Sequence, residues 1–182
     1  MRYYRMSTTV KHPAAIVDFD DPGGKVFEYF VSGVGDGRFL EHATPRAVAQ
    51  SGYTRKNIRL TDYVDASIGA PIVSPRFVEA IGVTLADDVD VHACTVRVQD
   101  EDFPFHLLRI KREIPGLIDV SRSSFRTLTD GRKMLSKPVY AADLEAVFHL
   151  ARDPAFPTRH VGSERLKALV EANKLRVEFM PV

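Results

Sequence analysis

Apolar side chains recur along this chain at two different spacings, and the change from one to the other marks where strands give way to helices. The first third has the pattern of short strands and turns. Arg2 to Met6, Ala14 to Phe19 and Lys25 to Val31 are rich in aromatic or β-branched residues, and Asp20-Asp21-Pro22-Gly23-Gly24 between the last two predicts a hairpin. Gly33-Val34-Gly35-Asp36-Gly37 predicts a loop. From there to Ala70 the pattern is weak except for a short helix over Pro45 to Gln50.

The strongest local signal starts at Ser74. A serine cap, Pro75 at the first helical position, and Phe77, Ala80 and Ile81 at spacings of three and four predict a helix over 75–81, with Gly82 to end it. The same design recurs at Ser163, where Leu166, Leu169 and Val170 share a face, and predicts a helix ending near Asn173. Each helix precedes a strand, Val89 to Val98 and Leu175 to Met180. The repeated cap, helix and strand suggest an internal pseudo-repeat in which Phe77 and Leu166 are buried equivalents.

Within the first of these strands Val89, Val91, Ala93 and Thr95 alternate with Asp90, His92 and Cys94. Phe103 to Lys111 and Leu117 to Val120 read as further strands, broken at Ile114-Pro115-Gly116, while Ala141 to Arg152 fits either a helix or a short strand. Together these elements predict an α+β fold, a mostly antiparallel sheet with a few short amphipathic helices.

A chain of 182 residues has the size of one well-filled domain. Residues 1–182 are therefore expected to form a single domain, strand- and turn-rich over 1–70 and α+β over 71–182. Apolar residues make up 45% and charged residues 27%, the balance of a globular protein rather than a disordered or coiled-coil one. Cys94 is the only cysteine, which excludes an internal disulfide and fits a reducing compartment. The first residues lack the apolar core of a secretion signal, and no run approaches the roughly 18 apolar positions of a membrane span. A cytoplasmic protein without membrane attachment is expected. A net charge of +1 disfavours direct binding of nucleic acid. The charge is unevenly spread, since residues 1–105 hold 11 Lys/Arg against 15 Asp/Glu and residues 106–182 hold 14 against 9. Either the surface is polarised or these charges only solvate it.

No motif assembles these residues into recognisable chemistry. Gly33, Gly35 and Gly37 lack the Gly-Lys-Ser/Thr order of a phosphate loop, and Ser121 to Ser124 near Asp119 lack the glycines of a nucleophile elbow. His92 and Cys94, two apart on one strand face, have the spacing for a base and nucleophile or for two metal ligands. No second cysteine exists and the other histidines are scattered, so packing is the expected role of both. Catalytic residues, a metal and a cofactor are all expected to be absent. Two acidic clusters, one of Asp87, Asp88 and Asp90 and one of Asp100, Glu101 and Asp102, flank the strand Val89 to Val98. They are either solvated turns or an acidic edge that steers a basic partner protein.

One ordered set of segments goes beyond the generic. Ile72-Val73-Ser74-Pro75-Arg76-Phe77-Val78-Glu79-Ala80, a strand, Phe105-His106-Leu107-Leu108-Arg109-Ile110 and Leu117-Ile118-Asp119 with Ser121 to Ser124 come first. Val161-Gly162-Ser163-Glu164-Arg165-Leu166-Lys167-Ala168-Leu169 then closes on Val177-Glu178-Phe179-Met180-Pro181. This order resembles the bacterial polymorphic-toxin immunity protein family numbered eleven, also catalogued as a domain of unknown function, over roughly residues 70–182. The resemblance implies a strand led by Phe148 in the ambiguous segment. It departs at Asn173-Lys174, where the family has a glycine-containing turn. It further implies a bacterial cytoplasmic protein whose partner is a cognate toxin, neutralised by occlusion without catalysis, and it supplies no catalytic residue. The rival readings are a small enzyme with an unrecognised site at His92, Cys94 or the serines near Asp119, and a structural or regulatory adaptor.

Overall fold

The computed structural model describes residues 2–142 and 146–182. Among these the chain forms β1 (Tyr3–Ser7), β2 (Val17–Phe19), β3 (Arg46–Ala49), α1 (Arg55–Ile58), β4 (Tyr63–Val64), β5 (Ile72–Val73), α2 (Pro75–Ile81) and β6 (Val89–Val98). It continues through β7 (Glu101–Ile110), β8 (Ser124–Thr127), β9 (Lys133–Lys137), β10 (Leu150–Arg152), β11 (His160–Ser163), α3 (Glu164–Ala172) and β12 (Glu178–Pro181). Short helical turns at Phe27–Ser32 and Arg38–Glu41 lie between β2 and β3. No helix among the described residues is long and apolar enough to cross a membrane.

β6 and β7 pair antiparallel along their whole length, from Val89 opposite Ile110 to Val98 opposite Glu101. They form the middle of a six-stranded sheet in the order β2-β3-β6-β7-β5-β4, in which β3 and β6 are the one parallel pair. A four-stranded antiparallel sheet, β10-β11-β1-β12, and the separate two-stranded sheet β8-β9 complete an α+β fold.

Both faces of the large sheet are buried, and this explains how β6 departs from simple alternation. Successive strand residues point to opposite faces. Cys94, Val96 and Val98 of β6 and Phe103, Phe105 and Leu107 of β7 enter one core with Phe30 and Val31. Val89, Leu108 and Ile110 point the other way, into a second core with Phe77 and Ile81 of α2 and Leu166 and Val170 of α3. The apolar face therefore switches midway along β6, at exposed Ala93 and buried Cys94. A third cluster of Tyr3, Leu117, Phe148, Ala151 and Val161 includes residues of β1, β10 and β11.

The two capped helices stand where the sequence predicts them. Ser74 Oγ accepts the Phe77 N–H at 3.1 Å, and Ser163 Oγ accepts that of Leu166 at 3.3 Å. Ser74 also donates to Asp62 Oδ1 at 2.6 Å, and Asp62 accepts from the Arg76 guanidinium and, at 2.6 Å, from the Arg176 N–H. Burial would raise the Asp62 pKa, but these bonds outweigh it and hold the carboxyl below its ordinary value. Asp62 thus ties α2 to the segment before β12. The two helices follow strands of different sheets, β5 and β11, yet both pack into the second core.

Other elements differ from the sequence reading. Lys25 to Val31 is helical, because the Asp21 carboxylate accepts the N–H groups of Lys25 and Val26 at 3.0 and 2.8 Å and so caps a turn that buries Phe30 and Val31. The aspartate in the expected hairpin turn is a cap instead. β2 pairs with Arg46–Ala49, so the segment expected as a helix over Pro45 to Gln50 is a strand beside β6 with Ala47 fully buried. Leu117 to Val120 is a turn with one bridge from Ile118 to Tyr140, held where Asp153 accepts the Ile118 N–H at 3.0 Å. The final strand begins at Glu178 rather than Leu175. Within the ambiguous segment, Leu150 to Arg152 is strand, and residues 143–145 lie outside the described residues.

Candidate protein-binding surface

The β6–β7 hairpin carries the two acidic clusters at its opposite ends, each with basic partners from elsewhere in the chain. At the tip Asp100 pairs with Arg55, Glu101 with Arg59, and Asp102 with Arg46 at 3.2 Å. Arg97 reaches Asp102 at 3.7 Å. Four guanidiniums thus meet three carboxylates, and the hydrogen bond from Arg55 keeps the Asp100 carboxyl below its ordinary pKa. At the other end Asp90 lies 3.6 Å from Arg109 and 3.0 Å from Lys111. Asp88 is buried at 2% exposure, bound to Arg112 at 3.0 Å and accepting the His149 N–H at 2.6 Å. Only Asp87 of the six is exposed without an ion pair among the described residues. Asp88 is thus an internal brace rather than part of an exposed acidic edge, and arginines remote in sequence neutralise the tip.

His92 and Cys94 are packed side chains. Burial pushes the Cys94 thiol up to about 12, so it stays protonated and unreactive near neutral pH. The His92 ring meets Phe30 and Tyr29 edge-on at 5.2 and 5.7 Å, and burial lowers its pKa, with Asp90 opposing and Arg109 reinforcing. Ser121 Oγ donates to Asp119 Oδ1 at 2.6 Å, and the Ser121 N–H bonds to the same oxygen at 3.0 Å. That is the hydrogen bonding of a side-chain-closed turn. Among the described residues no three histidines, cysteines or carboxylates converge to hold a metal.

Uncompensated charge gathers instead on the two-stranded sheet. The segment Arg122–Lys137 holds Arg122, Arg126, Arg132, Lys133 and Lys137 against a single Asp130. Asp130 is engaged by Arg132 at 2.6 Å, whereas Arg126, Lys133 and Lys137 make no ion pair among the described residues. Phe125 opposes Leu135, and Arg126 opposes Met134. Because neighbouring positions alternate in face, Phe125 and Leu135 turn toward the body, where Phe125 lies 6.2 Å from the ring of Phe156. Arg126 and Met134 share the outer face, with Met134 39% exposed. An arginine beside an exposed methionine and aromatic is the composition enriched in protein interfaces. The positive excess of the second half of the sequence pointed this way, although nothing in the sequence separated these cations from the paired ones.

Where the two larger sheets meet, the Tyr63 hydroxyl lies 3.2 Å from His160 Nε2. Burial, helped by the charges of Arg5 and Arg152, holds the His160 pKa down to about 4. Unfolding restores an ordinary imidazole at about 6.5. Below that value the unfolded chain takes up the proton first, so the histidine's contribution is complete above about pH 6.5 and is lost as pH falls toward about 4, by about 3 kcal/mol in total. His92 and His106, also lowered by burial, act in the same direction. Urea unfolding of H160Q between those pH values is expected to show a shallower acid limb by about one proton, and an unchanged limb would contradict it.

No protein-family model matches this chain, and a search of curated proteins finds none similar to it. The resemblance described above therefore rests on the order of its motifs alone.

Proposed function

We propose that this protein acts by binding another protein, as an immunity protein that occludes a cognate toxin domain, with the two-stranded sheet of β8 and β9 as its contact. The observation that carries the reading is the cluster of Arg126, Lys133 and Lys137, which make no ion pair among the described residues, beside exposed Met134 and Phe125. It favours a partner with an acidic, partly apolar surface, where cations speed encounter and the arginine and apolar side chains slow release. Lysines along a short open sheet also discourage pairing with a second copy of the same edge. The packed state of Cys94 and the brace formed by Asp88 agree with a role that needs a stable surface rather than reactive groups.

The test is co-expression with the toxin-like product expected to be encoded beside the gene, together with a binding titration. The double variant Arg126→Glu, Met134→Asp is expected to abolish growth rescue and weaken binding by about 30-fold or more, the scale of a hot spot. The variant Glu101→Lys, Asp102→Lys is expected to bind as the natural protein does. Full rescue by the Arg126→Glu, Met134→Asp variant would remove this sheet from the interface, and rescue without any binding would remove occlusion as the mechanism.

A further inference from the structure

Beside the base of the β8–β9 hairpin, between the loop Asp65–Ala70 and the start of β11, lies a cleft of about 600 Å³. A space of that size suits a nucleotide-sized ligand, since small-molecule sites span about 300 to 1,000 Å³. Its charge is unbalanced toward the positive. Arg5 of β1 and Arg159 before β11 line it, and neither makes an ion pair among the described residues. The carboxylate of the cleft, Asp65, is committed to β1, accepting Ser7 Oγ at 2.8 Å and the Thr8 N–H at 3.0 Å. Thr158 and Tyr140 add hydroxyls, and Ile68 and Pro138 add an apolar wall.

The walls are held in place by tight packing and by a bond between sheets. Gly69 has a φ of +80, and a Cβ there would come within 3.1 Å of the Thr158 carbonyl, so the loop sits directly against the opposite rim. Tyr63 of β4 and His160 of β11 meet at the cleft, as described above, and His160 Nδ1 is enclosed without a hydrogen-bond partner among the described residues. The groups that face His160 are Tyr63, Arg5 and Arg152, with Asp65 charged nearby. Two guanidiniums lining one concave space against a single carboxylate, which already accepts from Ser7 and Thr8, favour an anion, and their planar forks match phosphate oxygens in two-point contacts.

We propose that this cleft binds a small phosphorylated molecule of nucleotide size, with the phosphate between Arg5 and Arg159 and the remainder against Ile68 and Pro138. The proposal does not depend on the toxin reading, because it needs no partner protein. An anion there would offset the Arg5 charge felt by His160 and make its protonation easier.

The experiment is a titration of the full chain with AMP, adenosine and inorganic phosphate, followed by NMR of the backbone amides and the His160 ring. AMP is expected to give saturable shifts of cleft resonances with a Kd below about 1 mM, with phosphate and adenosine each weaker by about tenfold or more. Arg159→Gln and Arg5→Gln are expected to weaken AMP by about tenfold at an unchanged thermal midpoint, whereas Lys56→Gln, on the distant α1, has no effect. The His160 pKa should rise in the AMP complex. Absence of saturable shifts, equal affinity for adenosine and AMP, or an Arg159→Gln variant that binds AMP normally would each overturn the proposal. Should Arg5→Gln not fold, the Arg159 variant decides alone.

Discussion

Replacing Asp88 with alanine is expected to destabilise the protein by about 3 to 5 kcal/mol, while the same change at its neighbour Asp87 stays within about 0.5 kcal/mol. Asp88 follows the turn after α2 and precedes β6, with its carboxylate directed into the protein. One oxygen meets Arg112 Nε at 3.0 Å, and the other takes the N–H groups of His149 at 2.6 Å and Leu150 at 3.4 Å. Its own carbonyl accepts the Lys111 N–H at 2.8 Å. Removing the side chain would leave two backbone donors and a guanidinium without their acceptor at the start of β10. Each such loss costs more than an exposed ion pair yields, because the groups cannot all turn to water. Urea unfolding of the two single variants checks this, and equal midpoints would show that the brace carries no stability. The result matters for function too. Loss of activity in any Asp88 variant would report unfolding rather than a broken interface.

Truncation of Phe77 or of Leu166 to alanine should each remove about 2 to 5 kcal/mol, a large share of the stability of a domain this size. Phe77 is 1% exposed and Leu166 is 0% exposed, and both belong to the second core between the two larger sheets. Both side chains are sealed from solvent. A cavity therefore remains in proportion to how little the surrounding strands can close in. α2 rests on β7, and α3 rests on β11 and β1, so the two truncations strike the packing of different sheets through one core. Thermal midpoints of both variants provide the measurement, and a midpoint equal to that of the natural protein in either case would show that its helix does not anchor the sheets.

These predictions rest on unequal foundations. Phe77, Leu166 and their serine caps were legible in the sequence, because a cap and an apolar face at helical spacing are properties of a few consecutive residues. β6 and β7 were legible for the same reason, being long enough for their composition to show. Asp62 and Asp88 were not. A buried aspartate and a solvated one look alike in a sequence, and what separates them is a set of donors brought from distant segments, Arg76 and Arg176 to one and Arg112 and His149 to the other. The expected hairpin of the first third failed likewise. Asp21 is both a good turn former and a good helix cap, and which it becomes depends on whether Phe30 and Val31 have a core to enter.

By itself, then, the sequence determined the fold class, the two capped helices, the two long central strands and the lack of any local catalytic motif, all of which follow from side-chain type and spacing within single segments. The tertiary structure alone decided which charges remain free. The carboxylates of the hairpin tip lost their excess to Arg46, Arg55, Arg59 and Arg97, while Arg126, Lys133 and Lys137 kept theirs, and Arg5 and Arg159 came to face one cleft. Net charge is a sum over the chain, but an electrostatic field depends on which opposite charges lie within a few ångströms, and only folding sets those distances.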